Sequence, residues 1–393
     1  MHSLKTRNVK ALSMAMALTT LLSACGGGGS SESTTPTTTT PTTTTPTTDI
    51  ATEFGDYLTD LTDDHIIPSY ENMLSKAQAL KSAGDEFCAT TSANSSDLAS
   101  YRQSWSDFNK AWQQIQWLKL GAVIENSRLF RIQFWPDGNS AVSRGVESLL
   151  MEQITVTADD VSGVNVGGQG IPALEYLLFP DDSDNTLLAA VDKEKRCEVS
   201  LAIAQNLINI SDDILTDWQI SGGNYRAQFI EGSGEFSSTK NAVEELTTNW
   251  LQQIEVVEDK KLHEIIGDQS PGNYANAEHV LSDKSLVSIA TNIASFLTIY
   301  TNNDGKGFDS ILIDFLEQQS ISDEVTTSLN SVSAQIKQIN VDFDSYELAL
   351  ADTAGREALT NLVDEMRVLI DLIDITFTQA LDLNLGFNSS DGD

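Results

Sequence analysis

Positive charge is scarce in this chain. Across 393 residues, Lys and Arg number 23 against 57 Asp and Glu, a formal net charge of −34. A nucleic-acid partner needs a basic face, so that class is excluded. The surplus acid fits a solvated surface, with attraction of cations or basic partners as the alternative. Histidine is scarcer still, with four in the chain. His2 falls in the leader, and His65 sits beside Asp63 and Asp64 near a helix start, where exposure is expected. His263-Glu264 opens like a zinc-protease helix, but Gly267 stands where the second His is required. Only His279 remains as a candidate ligand. Alternating apolar–polar patterns are also scarce, which argues against a β fold. Beyond the leader no apolar run is long enough to span a bilayer. Phosphate loops and dinucleotide fingerprints are missing. Gly232-Ser233-Gly234 lacks the strand–turn–helix context of a nucleophile elbow. Asn302 to Gly307 is a Gly-rich turn and not a calcium loop, because Lys306 occupies a position that needs an oxygen ligand.

Cysteine is limited to three residues, and the first belongs to the leader. Lys5, Arg7 and Lys10 precede an apolar run from Ala11 to Leu22, which ends in Leu22-Ser23-Ala24-Cys25. This order resembles a bacterial lipobox. Residues 1–24 then form a signal peptide, and Cys25 is the lipid-modified residue that anchors the chain to a membrane. A free cysteine after an ordinary signal peptide is the alternative. Gly26, and not Asp, follows Cys25, which favours the outer membrane in a Gram-negative envelope, facing the periplasm or the cell surface. Residues 25–49 are Gly-, Ser-, Thr- and Pro-rich and cannot bury a core, so they read as a disordered tether. Fully extended, the tether reaches at most about 70 Å. The remaining even pair, Cys88 and Cys197, suggests a disulfide in an oxidising compartment, with two buried thiols as the alternative.

Apolar residues recur at helical spacing through nearly all of the rest. Tyr57, Leu61, Ile66, Tyr70, Met73, Leu74, Ala77 and Leu80 mark a first helix, which Pro68 kinks or divides. Trp105, Phe108, Trp112, Ile115 and Leu118 line one stripe of a second, from Leu98 to Leu120. A long helix is expected from Leu187 to Trp218, with Asn185 as its cap and Gly222-Gly223 after its end. Further helices are expected over Thr239–Ile266, Glu278–Tyr300, Phe308–Gln318, Ser322–Asn340 and Gly355–Leu385. Long amphipathic helices with short links make an all-α fold of two packed four-helix bundles. The natural partition is residues 50–220 and 239–393, with the Gly/Ser-rich piece 221–238 between them.

One stretch concentrates chemistry. Gly170-Ile171-Pro172-Ala173-Leu174-Glu175-Tyr176-Leu177-Leu178-Phe179 sets one carboxylate in the first turn of an otherwise apolar helix. Pro172 suits the start of a helix, and Gly170 permits a tight entry. Glu175 reads either as a buried, paired carboxylate, with Arg131 as its expected partner, or as a ligand contact, and the two are compatible. Asp137, after Trp135-Pro136, fits a helix N-cap, with ligand contact as the alternative. Phe134 and Trp135 read as core, with a binding platform as the alternative.

The same stretch resembles the signature of the imelysin-like family, Gly-x-His-x-x-Glu followed by an aromatic and leucines. Gly170 and Glu175 match, and Pro172 stands where the family has His. Arg131-Ile132-Gln133-Phe134-Trp135-Pro136-Asp137 and the C-terminal Leu385 to Asp393 resemble motifs of a lipoprotein branch. Trp112, Glu278 and Ser285 fall in the expected order. The resemblance implies two four-helix bundles, a link to bacterial iron uptake, and a metallopeptidase among the relatives. It also implies that Glu278 and His279, at a helix start in the second bundle, lie near Glu175 at the bundle interface.

With Pro172 in place of the motif His, Glu175 alone cannot hold zinc, which takes three or four ligands. No cofactor is fixed by the residues, and iron or another divalent metal remains the candidate. The expectation is a non-catalytic lipoprotein that binds a small ligand, a metal complex or an iron-uptake partner. A metallopeptidase and a structural or adhesive envelope protein are the competing classes.

Overall fold

The computed structural model describes residues 49–386, apart from residues 91, 181–185 and 304. The lipobox Cys25, the tether, the expected cap Asn185 and the C-terminal Asp391-Gly392-Asp393 lie outside the described residues. Within them the chain is all-α, with no strand. No described helix is long and apolar enough to cross a membrane.

Asp49 opens the first helix, α1 (Ile50–Leu61), by accepting the Thr52 amide at 2.9 Å. A π-helical turn, Thr62–Ile66, leads directly into α2 (Ile67–Ala89). Pro68 lies in the first turn of α2, where its missing N–H is tolerated. The wide turn just before it absorbs the mismatch, so the axis is interrupted without the helix ending. Next comes α3 (Ser95–Ile115), started by a capping box in which Asn94 accepts the Ser96 amide and Asp97 accepts the Asn94 amide. Trp105, Phe108 and Trp112 on α3 are fully buried, each contributing on the order of 3 kcal/mol of transfer free energy.

Short helices follow: α4 (Arg128–Ile132), α5 (Ala141–Leu150), α6 (Ala158–Gly163) and α7 (Gly170–Leu178). The long α8 (Lys193–Trp218) packs against α2 and α7. It begins later than the Leu187 expected from its apolar spacing, because residues 186–192 form turns. Cys88, at the end of α2, is joined to Cys197, at the start of α8, by a disulfide.

The second half starts with α9 (Tyr225–Glu231) and α10 (Thr239–Glu255), which continues through a π-helical stretch (Val256–His263) into α11 (Glu264–Ile266). Then come α12 (Ser285–Thr301), the short α13 (Phe308–Ser310), α14 (Gln319–Asp342), α15 (Tyr346–Ala351), α16 (Thr353–Asp371) and α17 (Thr378–Ala380). α14 packs between α12 and α16. Although α1 comes first in sequence, it lies on α10, and the Tyr57 hydroxyl donates to the Ile299 carbonyl at 2.9 Å. The near-continuous α1–α2 rod therefore spans both helical sets.

The two sets meet where α3 packs along α12. All described residues fall in one compact unit. The seam is polar: Asn109 Nδ2 donates to Ser288 Oγ at 3.0 Å, and Asn292 Nδ2 donates to the Gln113 carbonyl at 2.8 Å. Buried amides that satisfy each other hold one register between packed helices, where an apolar seam could slide.

Candidate ligand site

The site begins with a glycine. Gly170 has φ +73°, and a Cβ there would lie 2.2 Å from the Ile132 carbonyl oxygen and 2.4 Å from that of Arg131. Only glycine lets α7 start pressed against the backbone of α4. We expect Gly170→Ala to cost about 2 kcal/mol or more, measured by urea unfolding, because strain and overlap act together.

One turn into α7, Glu175 is buried, with a side chain 7 % exposed. Its Oε1 accepts two hydrogen bonds from Ser282, one from the amide at 2.9 Å and one from the hydroxyl at 2.6 Å. Its Oε2 lies 3.5 Å from His279 Nδ1. Arg131 is not its partner, which corrects the expectation from sequence. The Arg131 guanidinium instead donates to Gln169 Oε1 and to Asn206 Oδ1 on α8, both at 3.0 Å. Arg131 sits in the last turn of α4, and its guanidinium is taken up by Asn206 on α8 and by Gln169 just before α7.

Glu278 and His279 do come together with Glu175, but not from a helix start. Residues 277–284 form turns, and α12 begins only at Ser285. His279 and Asp283 take left-handed backbone conformations, φ +58° and +55°, which no continuing helix allows. The turn carries Glu278 inward, where its Oε2 meets Lys261 Nζ at 2.8 Å and its Oε1 accepts from Gln133 Nε2 at 3.2 Å. Lys261 also donates to Gln113 Oε1 at 3.0 Å, Gln116 Oε1 at 3.1 Å and Asn292 Oδ1 at 2.7 Å. Burial pushes the Lys261 ammonium below its ordinary value, and Glu278 opposes that shift. Burial pushes the Glu278 carboxyl up, but the adjoining Lys261 ammonium together with His279 and Gln113 outweighs it, and the group titrates below its ordinary value.

Lys261 was not singled out from sequence because it sits in a charged run, Glu258-Asp259-Lys260-Lys261. The signal that marks it is its place on the buried stripe of Trp250, Ile254, Val257 and Ile265. A lysine on such a stripe needs a buried partner.

In front of this network lies a cavity of about 700 Å³, lined among others by Gln133, Trp135, Pro172, Glu175, Tyr176 and His279. Phe134 and Trp135 are half-buried in its wall and are not in the core, another departure from expectation. The Trp135 indole donates to the Asn276 carbonyl at 3.1 Å. Asp137 also lines the cavity, but both its oxygens are taken: Oδ1 accepts the Ala141 amide at 2.7 Å and Oδ2 the Val142 amide at 2.9 Å. It caps α5 from outside the helix, and Asp137→Ala should cost about 1–2 kcal/mol in thermal unfolding.

These donors do not fit a tightly held zinc ion. Pro172 offers nothing, Glu175 Oε1 is saturated by Ser282, and Glu278 faces an ammonium that repels a cation. Among the described residues no group of three or more His, Cys, Asp or Glu is placed to hold a metal ion, the Glu175–His279–Glu278 contacts included.

The family model for imelysin matches residues 66–373. The chain belongs to the imelysin family. Its fold is similar to the crystal structure of an imelysin-like protein from Psychrobacter arcticum 273-4, with a TM-score of 0.71 at 19% identity, covering 86% of this chain and 98% of that one. It is also similar to a protein from Parabacteroides distasonis ATCC 8503 described as an iron-regulated protein A precursor, with a TM-score of 0.67 at 16% identity, covering 85% and 97%. No curated protein matches the chain in sequence. In this family member Glu175 borders the cavity.

Proposed function

We propose that this imelysin-family protein is an exported, lipid-anchored binding protein of iron acquisition that holds its ligand in the cavity beside Glu175 and does not hydrolyse peptides. The cavity carries the reading. About 700 Å³ matches an organic ligand or an organically complexed metal, far more than one bare ion requires. The surroundings support it, because one Glu175 oxygen is held by Ser282 and Glu278, behind the wall, is paired with Lys261, which leaves too few free donors to grip a bare ion. Anchoring through Cys25 and placement in the envelope rest on the leader and tether of the sequence. Iron acquisition rests on family membership and on the iron-regulated relative.

The test is a thermal-stability screen of the full chain against ferric and ferrous iron, haem, zinc, calcium and iron chelated by small organic acids. A ligand at one hundred times its Kd should add about 2.7 kcal/mol of stability. The expected result is stabilisation by a complexed iron species and no peptide cleavage. Chelator-sensitive cleavage of peptides that is lost in Glu175→Ala would instead establish the peptidase.

A further inference from the structure

The outer face of the second helical set carries a groove. Glu324, Ser328, Ser331, Gln335, Gln338 and Asp342 recur at helical spacing and form one stripe along α14. Ala358, Asn361, Glu365, Val368 and Leu372 form the facing stripe along α16 and the π-helical turn that continues it. Between the stripes lie two depressions of about 510 and 480 Å³, which share Glu365 and Val368 as lining. From Glu324 to Asp342 the groove runs about 27 Å, at 1.5 Å per helical residue, or about five helical turns. It shares no lining residue with the cavity beside Glu175.

Its charge has one sign. Ile339, Ala358, Val368 and Leu372 give the groove apolar walls, and Val368, where the two depressions meet, is 59 % exposed. Asp323, Glu324, Asp342, Asp364 and Glu365 line it as well, and no Lys or Arg does. Several carboxylates elsewhere on the surface are paired with a cation, as Asp85 is with Lys81, Asp63 with Arg226 and Asp382 with Lys240. In the groove only Asp364 has a described ion pair, with Arg367 at 3.6 Å. Asp323 and Asp342 accept from Gln319 and Gln338 of their own helix, and Glu365 accepts from Ser331. Those donors are neutral and leave the negative charge in place.

A straight groove between two helices suits a third helix, whose side chains fit between both ridges. Charge selects whose helix it is. A second copy of this chain would set the same carboxylates face to face. Residues 26–49 and 387–393 hold no Lys or Arg, so neither tether nor tail supplies the missing cations. The complementary occupant is basic and comes from another protein.

We infer that the α14–α16 groove docks an amphipathic helix of a partner protein, its apolar stripe on Ile339, Val368 and Leu372 and its flanking Lys or Arg side chains against Glu324, Asp342 and Glu365. This goes beyond the ligand-binding reading of the cavity and does not depend on it.

Three synthetic peptides of about 18 residues test it by titration calorimetry on the full chain, at about 0.15 M salt so that diffuse attraction is screened. One is a helix with leucines at i, i+3, i+4 and i+7 spacing and lysines on both flanks. The second is a scramble of the same composition without an apolar stripe, and the third is the same helix with Glu for every Lys. The Lys helix should bind at least about tenfold more tightly than the scramble, and the Glu helix should not bind. Glu324→Lys combined with Glu365→Lys should weaken the Lys helix about tenfold or more, and Val368→Ser alone about threefold. Glu71→Lys combined with Glu86→Lys, on the exposed face of α2, makes the same change in net charge and should alter binding less than about twofold. None of the substituted side chains is buried. The inference is overturned if the scramble binds as tightly as the Lys helix, if the α2 pair weakens binding as much as the groove pair, if Val368→Ser has no effect, or if the Lys helix does not bind. Should the charge variants fail to fold, the wild-type ranking and Val368→Ser decide it. Stabilisation by complexed iron, the readout for the cavity, stands or falls separately.

Discussion

Lys261→Met is expected to destabilise the protein by about 3–5 kcal/mol, because it strands Glu278 as a buried carboxylate without its cation. The ammonium is 2 % exposed and serves four oxygens at once, on Gln113, Gln116, Asn292 and Glu278, so its loss unties α3, the α10–α11 rod, α12 and the turn carrying His279 together. Urea unfolding measures the effect. Combining Lys261→Met with Glu278→Gln should recover much of the loss, since no charge is then left uncompensated. A double variant no more stable than the single one would show that the ion pair is not the origin of the cost. The pair also sets an acid limb. Glu278 titrates below its ordinary value of 4.5 in the folded state, against that value in the unfolded chain. Its stabilising share is therefore complete above the ordinary value and is lost as pH falls through the folded one. Glu278→Gln should flatten the stability profile in that acid range.

Replacing Cys88 and Cys197 together with serine should remove about 4–5 kcal/mol, the chain-entropy value for a bridge that closes a loop of 109 residues. The bridge ties the end of α2 to the start of α8, the two long helices on which α3 and α7 rest. Global stability should fall, while the cavity, built from α7 and the loop before α12, keeps its ligand preference below the new melting temperature. Thermal unfolding with and without reductant checks the first point, and the stabilisation by complexed iron species the second. A loss under about 1 kcal/mol would mean that the unfolded chain is already compact across this loop.

Helices were legible because their signals are local. The Trp105–Trp112 stripe, the Pro68 interruption and the run over Thr239–Ile266 each follow from spacing or from the chemistry of one residue. The start of α12 was misplaced because left-handed residues at His279 and Asp283 leave no mark in composition. The position of α1 on α10 was also hidden, since a helix that runs straight on gives no sign of which bundle its first turns join. At the site, Glu175 stood out as a lone charge in an apolar helix. Its true partners, Ser282 and His279, lie more than a hundred residues away, and only the closed fold sets them beside it. Arg131 was the chemically natural partner, but it is directed to α8.

The most direct test of the account is the metal content of the purified full chain after equilibration with zinc and removal of excess ion, measured by elemental analysis beside Glu175→Ala. Pro172, the saturated Glu175 oxygen and the ammonium on Glu278 predict zinc far below one atom per chain, unchanged by the substitution. One zinc atom retained per chain and lost in Glu175→Ala would contradict it.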